Sequence, residues 1–293
     1  MIAEAVERVF DAGDELGEGA TWDVAARRLI SVDIMRGRVR LFDPETNTAR
    51  TIDVGQPVGA AVPRRNGAGL MLALRDGFAT LDLRTTALTF VAHVDLDRPD
   101  LRMNDGTCDA AGRFWAGTMA LDERPGAGAL YRLDPDGSVH TMVTGVGISN
   151  GIDWSLDGTV MYYVDSLTQR LDRFDFDPGT GSIANRRTLA AIDAADGCPD
   201  GLTVDAEGGI WLALWGGASL RRYLPDGTLD HVLPVPATYP TTCAFGGTDL
   251  GDLYITTATI KMSADERRQQ PGAGSIFRHR PGVRGRPAHG FGG

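Results

Sequence analysis

Apolar and polar residues alternate along this chain in short runs broken by small polar turns, and one arrangement recurs. A turn ending in glycine is followed by a short apolar strand: DAAGRFWAGTM from Asp109, SLDGTVMYYVDS from Ser155, DAEGGIWLALW from Asp205 and TDLGDLYITTA from Thr248. The turn glycines Gly112, Gly158, Gly208 and Gly251 are spaced by 46, 50 and 43 residues, which is the spacing of propeller blades. Weaker copies start at Asp23 and Arg64. Each copy is followed by a second alternating strand and a polar hairpin, as in LYRLDPDGSVHTM and LRRYLPDGTLDHVL, where Asp-Pro and Pro-Asp-Gly supply the turn chemistry. No segment sustains a helical period. The pattern predicts an all-β fold, a six-bladed β-propeller formed by one domain over residues 1–293. Residues near Val6–Phe10 are expected to complete the last blade. Radial closure would also protect strand edges that so many short strands otherwise expose.

The repeat places polar residues in a common register. Eight residues before the turn glycine stand Asn104, Asn150 and Asp200, and the equivalent position of the first blade is Glu18. The second blade has Gly59 there. Each polar residue is followed by glycine, directly or after one residue. Equal positions on equivalent strands point the same way, so the four oxygen-bearing side chains are expected to converge at one mouth of the central channel. Two carboxylates and two amides form a hard-oxygen set suited to Ca²⁺, Mg²⁺ or Mn²⁺ more than to a thiolate-seeking ion.

Composition narrows the class. The net charge of −10 argues against a nucleic-acid partner or an anionic membrane surface. No apolar run approaches a membrane span, and the first thirteen residues lack the apolar stretch of a signal peptide. Three widely spaced cysteines, Cys108, Cys198 and Cys243, suit a reducing compartment, so a cytoplasmic location is expected. The basic, Gly- and Pro-rich end, about residues 281–293, reads as a frayed, disordered tail. The oligomeric state is left open.

Other motifs were tested against their structural requirements. Gly147–Gly151 matches G-x-S-x-G around Ser149, but that elbow needs a following helix, and here a strand–turn–strand pattern follows. The five histidines have no metal-ligand spacing. The tryptophans Trp22, Trp115, Trp154, Trp211 and Trp215 mostly fall in the strand copies and are expected in the blade cores.

The segments LGEGATWD, RMNDGTCDAAGRFWAGTM, ISNGIDWSLDGTVMYYVDS, PDGLTVDAEGGIWLALWGG and PGAGSIF, in this order from about Glu15 to Phe277, resemble the gluconolactonase and regucalcin (senescence marker protein) family. The resemblance implies a six-bladed propeller with one divalent metal ion (Ca, Mg, Mn or Zn) held by Glu18, Asn150 and Asp200. It further implies Asp200 as catalytic base, and Arg102, Asn104 and Asp122 as substrate contacts. Met103 departs from the family's usual residue, and Asp122 is shorter than the family's glutamate. The implied reaction is metal-dependent hydrolysis of a small-molecule sugar (aldono-) lactone to the aldonic acid. Alternatives are a propeller phosphotriesterase and a non-catalytic calcium-binding protein of the regucalcin type.

Overall fold

The computed structural model describes residues 5–293 and contains six four-stranded antiparallel sheets. The innermost strands are Gly17–Asp23, Val58–Pro63, Leu101–Cys108, Ser149–Trp154, Cys198–Val204 and Pro240–Gly246, one for each of blades 1 to 6. The first five blades are each a continuous stretch of chain. Blade 6 takes three strands from the C-terminal region and its outermost strand, Glu7–Phe10, from the N-terminal region. The ring is therefore closed by hydrogen bonds between the two ends of the sequence, as the register of the repeats predicts. Among the described residues no helix is long and apolar enough to cross a membrane.

The recurrent turn has a physical basis. In blade 5, buried Asp205 accepts the backbone N–H of Gly209 at 2.8 Å, the Trp211 indole N–H at 3.0 Å and Arg222 Nε at 2.7 Å. Asp109 of blade 3 repeats this, accepting from Arg113 N at 3.1 Å, Trp115 Nε1 at 3.0 Å and Arg113 Nε at 2.5 Å. One carboxylate thus closes the hairpin and satisfies the polar edge of a core tryptophan, which would be costly to bury unpaired. Trp22, Trp115, Trp154 and Trp211 are all buried in blade cores. Trp215 is not; it stacks at a tilt on Tyr239 and faces the cavity described below.

Every innermost strand carries a ladder irregularity near its start: at Glu18/Thr21, Val58/Ala60, Met103/Gly106, Ser149/Ile152, Pro199/Leu202 and Pro240/Cys243. Bulges bend a strand and re-aim its side chains. Here six of them sit at one level around the axis, the level of the polar register.

The terminal segment does not fray. Residues 284–293 run across the lower face of the ring. Ala206 N donates to Arg284 O, Gly285 N to Leu250 O, Arg65 N to Phe291 O and Gly292 N to Gly112 O, at 2.8–2.9 Å. Arg286 Nη2 donates to Asp153 Oδ1 at 3.0 Å and to Trp154 O at 2.8 Å. Phe291 is 2% exposed, packed among residues of blades 2 and 3. Composition suggested a disordered tail, but backbone groups of five blades and one aromatic anchor hold it. Arg286 and His289 line the lower part of the channel, which the tail covers. We expect Phe291→Ala to cost about 3 kcal/mol and to lower the melting temperature by roughly 6 °C. Thermal unfolding checks this, and an unchanged midpoint would mean that the tail is not packed.

Candidate functional site

Glu18, Asn104, Asn150 and Asp200 come from the innermost strands of blades 1, 3, 4 and 5. With Arg102 they line one cavity of about 210 Å³ at the upper mouth of the channel. All five are buried. The glycines after Asn150 and Asp200 are required by the neighbouring blade. A Cβ at Gly151 would lie 2.8 Å from Asp200 O, and one at Gly201 would lie 2.1 Å from Thr242 Oγ1.

The four polar residues do not have equal roles. Asn104 is committed within the protein: its Oδ1 accepts from Arg102 Nη1 at 2.6 Å and its Nδ2 donates to Ser149 O at 2.8 Å. Arg102 Nη1 also donates to Met103 O at 3.0 Å, so Asn104 and its strand fix the guanidinium in place. Glu18 Oε2 accepts from Gly19 N at 3.1 Å. Asn150 Nδ2 donates to Ser166 Oγ at 2.9 Å, which turns Oδ1 away from that partner. Asn150 Oδ1 and Asp200 Oδ1 are buried and have no hydrogen-bond partner. Such orphaned acceptors are rare in folded proteins and call for an explanation.

Electrostatics sharpen the point. Burial, reinforced by the charges of Asp200 and Asp105, pushes the Glu18 carboxyl well above its ordinary range. Burial, then Asp105, does the same to Asp200, against the opposing Asn150 amide. Burial also raises Asp105, just below, to about 6. Burial pulls the Arg102 guanidinium down to about 10, against the pull of Glu18. Mutually repelling carboxyls beside an unpartnered amide oxygen fit a divalent cation, whose charge would reverse these shifts. Among the described residues no three His, Cys, Asp or Glu side chains gather as a metal-holding group. The set here is two carboxylates and an amide, Glu18, Asp200 and Asn150, a donor chemistry that fits a hard cation.

A family model described as "SMP-30/Gluconolactonase/LRE-like region" matches residues 16–259. The chain belongs to this family. Regucalcin of Danio rerio is 40% identical, with 99% of each chain covered. The Bacillus subtilis protein named "Putative sugar lactone lactonase YvrE" is 39% identical over 89% of this chain and 90% of its own. The solved structure of a calcium-binding protein, regucalcin, from Agrobacterium tumefaciens superposes with a TM-score of 0.93 at 28% identity, covering 99% of this chain and 97% of that one. The six-bladed propeller is thus shared with the family.

One residue carried over from the family pattern does not reach the cavity. The Asp122 side chain is 64% exposed and pairs with Arg124 at 2.8 Å. Its neighbours Leu121 and Glu123 line the cavity instead. Side chains on either side of Asp122 turn inward, and Glu123 takes a left-handed backbone conformation, φ 58°, which leaves Asp122 facing solvent. Glu123 accepts from Lys261 Nζ at 2.6 Å. Blades 3 and 6 stand opposite each other in a ring of six, so this pair spans the cavity's mouth. Sequence reasoning passed over Lys261, although a count marks it: it is the chain's one lysine against 28 arginines. Ser166, Cys198 and Trp215, also in the cavity wall, carry no comparable signal.

Ser149 is fully buried and accepts from Tyr163 OH at 3.0 Å. It faces the packing between blades, where a Cβ on Gly117 would clash with it, and not the cavity. We expect a serine-directed covalent reagent to leave Ser149 unmodified by peptide mass spectrometry. We also expect Ser149→Ala to cost only about 1 kcal/mol in denaturant unfolding. A stoichiometric adduct on Ser149 would contradict this placement.

Proposed function

We propose that the chain is a divalent-metal-dependent lactonase that hydrolyses a sugar (aldono-) lactone to the aldonic acid. The observation that carries the reading is the pair of orphaned buried oxygens, Asn150 Oδ1 and Asp200 Oδ1, facing one cavity beside the Arg102 guanidinium. The name of the Bacillus subtilis relative supports the substrate class.

Glu18, Asn150 and Asp200 would hold the ion. Once bound, it supplies Lewis acidity toward the lactone carbonyl and acidifies a water molecule. The protein's own groups do the rest. Arg102, with Nη1 tied to Asn104 and Met103, keeps the remaining side of its donor fork for substrate oxygens. Asn104 positions Arg102 more than it contacts substrate. Asp200 takes the proton from the attacking water. The water oxygen bonds to the carbonyl carbon, the bond from that carbon to the ring oxygen breaks, and the proton ends on the ring oxygen. The burial of these groups strengthens each charge interaction with the substrate.

The name of the Agrobacterium tumefaciens structure favours a second reading, a calcium-binding protein without turnover. The same ligands would serve both. Turnover separates them: calcium bound at the site with no hydrolysis of any lactone would establish the second.

Removal of the ion by prolonged chelation should lower lactone turnover at least about 100-fold. Ca²⁺, Mg²⁺, Mn²⁺ or Zn²⁺ should restore it to different extents, and Asp200→Ala should abolish it. Full activity in protein shown metal-free by elemental analysis would refute the reading.

On the reading that its fork holds ring hydroxyls, Arg102→Ala should raise KM about tenfold while kcat falls less than threefold. Steady-state kinetics decide it. A large kcat loss at constant KM would place Arg102 at the reacting carbonyl.

A further inference from the structure

The cavity changes character with depth. Its polar floor, Glu18, Arg102, Asn104, Asn150 and Asp200, is nowhere more than 6% exposed. At its mouth Met35, Leu121 and Leu167 are 37%, 51% and 41% exposed. They come from three different blades. Met35 follows the strand Arg28–Asp33 of blade 1, Leu121 follows Phe114–Ala120 of blade 3, and Leu167 sits in the short 3₁₀ turn Ser166–Thr168 of blade 4. Ile260 and Trp215 continue this apolar surface between rim and floor. The charges at this level, Glu123 and Lys261, are paired to each other.

A fully hydroxylated ring needs hydrogen-bond partners around its whole circumference. This cavity concentrates such partners at the floor and offers apolar side chains above it. Exposed large apolar residues are ordinary when scattered, but their convergence from three blades onto one cavity marks a binding surface.

We propose that this rim binds an alkyl substituent on the lactone ring, so that the site also hydrolyses aliphatic lactones bearing several carbons next to the ring oxygen. The proposal rests on the lactonase reading above. The reaction is the same water addition: the carbonyl carbon gains the water oxygen, its bond to the ring oxygen breaks, and that oxygen leaves as the hydroxyl of a hydroxyalkanoic acid. No co-reactant is needed. The ester group meets the polar floor, and the alkyl chain leaves the water at the rim.

The test is a series from γ-butyrolactone through γ-heptalactone to γ-nonalactone on the metal-loaded protein, with glucono-δ-lactone alongside. kcat/KM should rise about twofold per added methylene, chiefly through KM, a half-open rim giving less than full burial. The matching γ-alkyl lactams, which are not hydrolysed readily, should bind as competitive inhibitors with Ki falling along the same series. Leu121→Ser combined with Leu167→Ser removes apolar surface from exposed positions without opening a core cavity. It should reduce the preference for γ-nonalactone over γ-butyrolactone about tenfold. A flat or falling series, or an unchanged preference in the double variant, overturns the proposal. If glucono-δ-lactone is still hydrolysed in that case, the sugar-lactonase reading stands. Failure to hydrolyse any of these lactones with metal bound overturns both.

Discussion

Six strands gathered around a single axis leave almost no space between neighbouring backbones, and the site is built out of that crowding. A Cβ on Gly59 would lie 1.9 Å from Asn104 O, and one on Gly201 would collide with Thr242. Glycine is the residue that lets adjacent blades touch at this level. The same crowding imposes the irregularity at the start of each innermost strand. In blades 1, 3, 4 and 5 the bulge carries a polar side chain that lines the channel mouth. The EG, NG and DG pairs are therefore one feature with two effects: the glycine closes the ring and its neighbour forms the site.

Convergence has an electrostatic consequence. Glu18 and Asp200 come from blades 1 and 5 and are buried with Asp105 beneath them; burial raises all three, and the charge of Asp105 raises Glu18 and Asp200 further. Arg102 relieves part of this at Glu18 and Asp200, while burial lowers its own basicity. The neighbouring hairpins show what a settled buried carboxylate looks like, with Asp205 meeting an indole, a guanidinium and backbone N–H groups. Asp200 has only the Asn150 amide and the Gly201 N–H to set against its burial, and its Oδ1 has no partner among the described residues. The contrast within one molecule separates a carboxylate whose partners are supplied by the fold from one with an acceptor left unpartnered.

The blades and the floor of the site were legible in the sequence because both rest on periodicity. Strand alternation and fixed turn spacing placed Glu18, Asn104, Asn150 and Asp200 in a common register without reference to tertiary contacts. Legibility failed where position depends on loops. Register cannot say which of Leu121, Asp122 and Glu123 turns inward, because a left-handed residue breaks the alternation. Register also grouped Asn104 with Glu18, Asn150 and Asp200, whereas its pairing with Arg102 becomes visible only when both side chains are placed. The C-terminal segment has the composition of a disordered tail, yet its partners are backbone groups on distant blades, which leave no mark in local sequence. Trp215 shares its strand context with the core tryptophans and still faces the cavity.

The outermost strand of blade 6 sets the order in which the molecule can be made. Glu7 meets Arg278 across 271 residues, whereas the four strands of each of the first five blades come from one continuous stretch. During synthesis the segment Glu7–Phe10 is made long before Ile276–His279, its partner strand. Blades 1 to 5 can form in turn while the ring stays an open arc with two unprotected faces. Long-range pairing of this kind is slow and leaves apolar surface exposed in the interim. Closure therefore cannot precede synthesis of the strand Ile276–His279. A chain stalled shortly before Ile276 would hold five complete blades and still lack a closed ring.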